Sequence, residues 1–198
     1  MRARSLIFPV GLSILLAVIV VPLLAQTPSA PKAPAPVLIT SCGQSPGANS
    51  MNVLARRAGI EYALKEDATP RDLAGKKYGS IIIVTGASLK GMGAAGVSIE
   101  DELKRAEALI AEAKKQGMTV VGAHVEGMSR RAQGAAPGDN SDEMSIDAVC
   151  PKANLMIVRK DGNEDGRFTA ISKAKNIPLL LSENNMQIAD ILKAVFGK

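Results

Sequence analysis

The run SIIIVTG, Ser80–Gly86, limits what this chain can become more than any other segment. Four consecutive residues, Ile81 to Val84, are β-branched and apolar, and side chains stiff at χ1 favour extended backbone. Successive side chains of a strand point to opposite faces, so a run that is apolar throughout needs cover on both. That requirement describes the centre of a parallel sheet with helices on either side. Five further runs read as strands: VLITS (Val37–Ser41), IEYALK (Ile60–Lys65), MTVVGAHV (Met118–Val125), NLMIVRK (Asn154–Lys160) and IPLLLS (Ile177–Ser182). IEYALK is the most polar of them and is assigned to an edge.

Helical segments separate these strands. SMNVLARRAG offers Val53, Leu54 and Ala58 as one face, with Gly59 near its stop. TPRDLAG forms a turn of helix with Thr69 as cap and Pro70 in first position. SIEDELKRAEALIAEAKKQG is the clearest helix. Ser98 and Asp101 form a variant capping box, acids crowd the first turns and lysines the last, and Gly117 ends it. Leu103, Ala106, Leu109, Ile110 and Ala113 mark its inner face. Asp139–Val149, Arg167–Lys175 and Gln187–Phe196 complete the alternation. The expected fold is one doubly wound, three-layer α/β domain with a mostly parallel sheet of five to six strands, in the order 2-1-3-4-5-6. In such sheets ligands bind beyond the C-terminal ends of the strands, at a switch point in the strand order. The same geometry places Cys42 at that rim and Cys150 toward the other, which argues against a disulfide between them.

Residues 1–25 combine Arg2 and Arg4 with an apolar stretch from Leu6 to Ala25, the pattern of a secretory signal peptide. An uncleaved anchor is the alternative, and would be the chain's only route to a membrane. QTPSAPKAPAP, residues 26–36, reads as an extended Pro/Ala-rich linker, leaving residues 37–198 for the domain. This address places the domain in the periplasm or outside the cell. Without the two signal arginines, twenty-two basic residues face nineteen acidic ones, a net charge of about +3. With no Trp, three Phe and two Tyr, the chain lacks platforms for stacking bases, and nucleic-acid binding is not expected.

The segments LITSCGQSPGA, LKGMGAAGVSIEDEL, GAHVEGMSRR and DGNEDGRFTAISKAKNIPL, which span nearly all of the domain, resemble a family of bacterial secreted proteins known only as a domain of unknown function. The resemblance implies a Rossmann-like or flavodoxin-like fold and an extracytoplasmic setting. It assigns no catalytic residue.

Candidate site residues therefore come from the four loops on the ligand rim. SCGQSPGANS ends at a helix N-terminus able to hold an anion, with Gln44, Ser45 and Asn49 to assist; turn formation and helix capping are the alternative. GMGAAG, Gly91–Gly96, spells the dinucleotide fingerprint. Its first glycine lies several residues past the strand, its last precedes the helix cap, and no acid stands about twenty residues beyond. The Walker pattern also fails, because Met92 and Gly93 stand where Lys and Ser/Thr belong. What is left is a Gly-rich loop carrying Lys90, Gly91 and Gly93: a mobile lid over a ligand, or a surface connection. AHVEGMSRRAQG carries the only histidine, His124, with Glu126 on the same face and Arg130 and Arg131 suited to carboxylate or phosphate. A buried structural role for His124 is the alternative. Asp161, Asn163 and Asp165 match half a calcium loop, but its twelfth position is Ser172, so no cofactor is expected and calcium is a weak candidate. One histidine and two distant cysteines do not make a zinc site. The leading functional expectation is a module that binds a small anionic ligand on the rim. A small hydrolase using the His124 neighbourhood, with Ser45 or Ser88 as nucleophile, and a non-enzymatic envelope adaptor are the alternatives.

Overall fold

The computed structural model describes residues 30–75, 77–134 and 138–197. The predicted signal peptide and the first residues of the Pro/Ala-rich segment lie outside them. Strands β1 (Val37–Cys42), β2 (Tyr62–Leu64), β3 (Ser80–Thr85), β4 (Thr119–His124), β5 (Leu155–Arg159) and β6 (Leu179–Ser182) form one sheet in the order β2-β1-β3-β4-β5-β6. Every neighbouring pair is parallel. β3 lies inside the sheet, with all six residues buried, and β2 is an edge.

Strand alternation divides the core in two. Leu38, Ile81, Ile83, Val120, Met156 and Val158 pack on one face. They meet helices α2 (Pro70–Leu73), α4 (Ile99–Lys115), α5 (Ser141–Val149) and α6 (Arg167–Lys175). Val37, Ile39, Ile82, Val84, Val121 and Ile157 point the other way, onto α1 (Gly47–Ala58) and α7 (Asn185–Phe196). The result is a three-layer α/β domain of the flavodoxin-like or Rossmann-like kind. Among the described residues no helix is long and apolar enough to cross a membrane. Cys42 and Cys150 are buried free thiols. Burial pushes the Cys42 thiol up to about 12, so it stays protonated. Cys150 Sγ packs against Gly122 of β4, 3.3 Å from where a Cβ on that glycine would lie, as a small hydrophobe does.

Three sequence expectations need correction. Val53 is exposed. α1 buries Ala48, Met51, Leu54 and Ala55 instead, a stripe at the 3.6-residue period that leaves Val53 on the solvent side. On α4 the expected inner face is incomplete: Glu102 is buried with it, and Leu103 packs against the core while half-buried. The Gly-rich loop is a helix, α3 (Leu89–Ala95), rather than a mobile lid. Ser88 caps it by accepting from Gly91 N–H, and Gly96 ends it at a φ of 68°. The described end of the Pro/Ala-rich segment is hydrogen-bonded to the domain. Ala33 N–H donates to the Val195 carbonyl, and the Pro34 carbonyl accepts from Ser80 Oγ at 2.6 Å.

Candidate functional site

The strand order reverses between β1 and β3, where a fold of this kind ordinarily opens a ligand crevice. Here the two loops are joined backbone to backbone. Gln44 and Ala87 form an antiparallel bridge, and Ser88 N–H donates to the Gly43 carbonyl at 2.8 Å. A Cβ on Gly43, whose φ is 106°, would lie 2.6 Å from the Gly86 carbonyl oxygen, so only glycine permits this approach. The crevice between them is closed.

Internal carboxylates hold three of the rim amides. Glu126 Oε2 accepts from Gly47 N–H at 3.1 Å, the first residue of α1, and so takes the place an anion would occupy there. Asp142 Oδ1 accepts from Ala87 N–H at 2.6 Å. Glu102 Oε2 accepts from Gly43 N–H at 2.9 Å, from Gln44 Nε2 at 3.0 Å and from Arg105 Nη2 at 2.8 Å. Burial pushes the Glu102 carboxyl up, but Arg105 and these donors outweigh it and hold the group below the usual carboxylate range. Asp142 goes the other way: burial raises it, and the Ala87 N–H and Arg130 only partly compensate.

Two hollows flank the closed seam. One of about 330 Å³ gathers Gln44, Ser45, Asn49, Lys90 and Gly91. The other, about 460 Å³, is lined on its polar side by Ser88, Lys90, Ser129, Arg130, Asp139 and Asp142. Lys90, on the first turn of α3, borders both and is exposed. Hollows of about 570 and 780 Å³ lie along residues 31–35. They are larger, but border none of the loops that follow β1, β3, β4 or β5. Most of the predicted residues thus do converge, though the hydrogen-bond capacity of several is already engaged. Gln44 is tied to Glu102 and Asn49 Nδ2 to Glu66 at 2.9 Å. Ser45 is buried and accepts from Gly47 N–H. Gly91 owes its identity to packing: a Cβ there would lie 2.2 Å from the Gln44 carbonyl oxygen. Gly93 has open space around it.

Arg130 donates from Nε to Glu126 Oε1 at 3.2 Å and from Nη1 to the Ala87 carbonyl at 3.0 Å. Its Nη2 has no protein partner among the described residues. Arg131 faces inward and is 3% exposed. It pairs with Glu143 and Asp165, donates to the Gly162 carbonyl, and lies over the Phe168 ring. This guanidinium ties the loop after β4 to α5 and to the entry of α6, a structural use of a residue expected to meet ligand.

His124 is fully buried beneath the rim, 5.2 Å from the Phe168 ring centroid. Nε2 lies 3.0 Å from the Gly127 carbonyl, which can only accept, so that nitrogen carries the proton. Nδ1 faces Thr85 Oγ1 at 3.2 Å. Burial holds the imidazole below its ordinary range, and both nitrogens are engaged, so neither is presented to Ser45 or Ser88.

The half calcium loop is divided among other tasks. Asp161 is held by Arg159, Asn163 caps α6 by accepting from Phe168 N–H at 2.9 Å, and Asp165 pairs with Arg131. Among the described residues no three His, Cys, Asp or Glu side chains gather as a metal site.

Sequence reading missed Glu102, Asp139 and Asp142. For two of them a signal existed. Glu102 stands on the stripe of Ala106, Leu109 and Ala113, and Asp142 on that of Ser145, Ile146 and Val149. An acid in register with a buried stripe must have a partner inside.

Searches of curated proteins and of solved structures return no match. A family model described as a domain of unknown function, DUF6305, matches residues 34–196, which takes in every strand and helix described above. The chain is a member of the DUF6305 family.

Proposed function

We propose that the domain is an extracytoplasmic binding module that takes a small anionic molecule on the C-terminal rim, between Lys90 and Arg130. The observation that carries this reading is the pairing of two cationic side chains around the 460 Å³ hollow. Lys90 forms no ion pair among the described residues, and Arg130 keeps Nη2 unused after its bonds to Glu126 and Ala87. Arg130 is held by those two bonds, so little rotamer freedom is lost when an anion binds. Lys90 sits on a capped helical turn and delivers a mobile charge to the same place. The fold adds only the general tendency of parallel sheets to bind ligands at this rim.

The test is titration calorimetry of the full-length chain with inorganic phosphate, acetate and citrate, repeated on Lys90→Ala. At least one anion should bind, and the variant should weaken it about tenfold, as expected for loss of one charge-assisted hydrogen bond. Lys90 is exposed, so the variant should fold normally. No binding by any of the three at millimolar concentration, or affinity unchanged by Lys90→Ala, would overturn the reading.

A further inference from the structure

Resting on that reading, we infer that the ligand of the 460 Å³ hollow is a zwitterion, a small molecule carrying a carboxylate and a primary ammonium. Lys90 and Arg130 supply one sign of charge, and Asp139 and Asp142, at the start of α5, supply the other. Asp142 is 8% exposed and spends Oδ1 on the Ala87 N–H, while Oδ2 has no hydrogen-bond donor among the described residues. A carboxylate oxygen left without a protein donor beside a hollow is open to a donor carried by a ligand. Arg130 does not donate to it. No Arg130–Asp142 ion pair forms, because the guanidinium turns to Glu126 and to the Ala87 carbonyl.

The spacing of the two charges is set by one residue. Arg130 grips the carbonyl of Ala87 and Asp142 grips its N–H. The heads therefore bracket a single N–Cα–C unit, the span that separates ammonium from carboxylate in an α-amino acid. A simple anion docking at Lys90 and Arg130 makes no use of the two carboxylates. A molecule that also carries an ammonium gains a second contact there. Asp139 has one oxygen engaged with the backbone and hydroxyl of Ser141, and adds a long-range field rather than a fixed contact.

The experiment is calorimetric titration of the full-length chain with L-alanine, propionate, ethylamine and N-acetyl-L-alanine. L-alanine should bind at least tenfold more tightly than propionate or N-acetyl-L-alanine, and ethylamine should bind least. Asp142→Asn keeps an oxygen for Ala87 N–H and should bring L-alanine down to the level of propionate; Lys90→Ala should weaken both. N-acetyl-L-alanine matching L-alanine would overturn the inference without any variant, as would an unchanged L-alanine preference in Asp142→Asn. Propionate binding through Lys90 with no gain from the ammonium refutes the zwitterion and leaves the anion site standing. No binding by any carboxylate here, nor by the anions above, removes both.

Discussion

Glu102 should be the costliest single side chain to remove from the rim. Its carboxylate is 2% exposed and holds Arg105, Gly43 N–H and Gln44 at once. Arg105 in turn donates to the carbonyls of Ser41 and Ala68, at 2.7 and 2.8 Å. Glu102→Ala leaves a guanidinium with a side-chain exposure of only 14% facing a void, and orphans the Gly43 amide. Removing one partner of a buried ion pair costs about 3–5 kcal/mol. Arg105 keeps its two carbonyl acceptors, which favours the lower part of that range. The unpaired amide adds about 1 kcal/mol or more, so the expected loss is roughly 4 kcal/mol. For a domain of this size that lowers Tm by about 8–16 °C. Urea and thermal unfolding of Glu102→Ala, Arg105→Ala and the double variant supply the measurement. The two single losses should not add, because both remove the same contact. The pH dependence has a definite sign. The Glu102 carboxyl sits below its usual range when folded, so its stabilisation is complete above the ordinary Glu value and fades as pH falls through the lowered one. The gap between the native chain and Glu102→Gln should therefore narrow in acid. A loss under about 1 kcal/mol for Glu102→Ala, or additive single losses, would refute the reasoning.

The glycines of α3 separate packing from propensity. Gly91→Ala pushes a Cβ against the Gln44 carbonyl and should cost about 1–3 kcal/mol, whereas Gly93→Ala enters open space and should gain about 0.5–1 kcal/mol of helix stability, both measurable by urea unfolding. Equal effects at the two positions would contradict the close approach of α3 to the loop after β1. His124 is the only histidine and is held neutral by burial, so stability should fall as pH drops below the ordinary His value, where the unfolded chain takes up a proton first. Urea midpoints compared at pH 7.5 and 5.5, with His124→Gln as control, check this. A native chain no more pH-sensitive than the variant would place His124 in contact with water.

Local sequence foretold the layers because its signals and the tertiary demands coincide. SIIIVT is apolar on both faces and became a strand buried on both. Ser98 with Asp101, and Thr69 with Pro70, start helices where their capping chemistry places them. Alternating strands and helices left few topologies, and the strand order followed. GMGAAG misled because glycine weakens helices on average; the Ser88 cap and contact with the neighbouring loop outweigh that cost here.

The site was legible as a place more than as a mechanism. The sequence alone determined which loops meet on the rim, since parallel crossovers put every strand's C-terminal end there. Gln44, Ser45, Asn49, Lys90 and Arg130, named from those loops, line two adjoining hollows. Only the tertiary structure decided which groups remain available to a ligand. Glu126, Asp142 and Glu102 reach the rim amides from other elements, Arg131 turns inward to Glu143 and Asp165, and His124 closes on Thr85 and Gly127. On the rim, hydrogen-bond partners separated by as many as 79 positions along the chain are chosen by packing, because a buried polar group takes whichever partner the assembled layers place within reach.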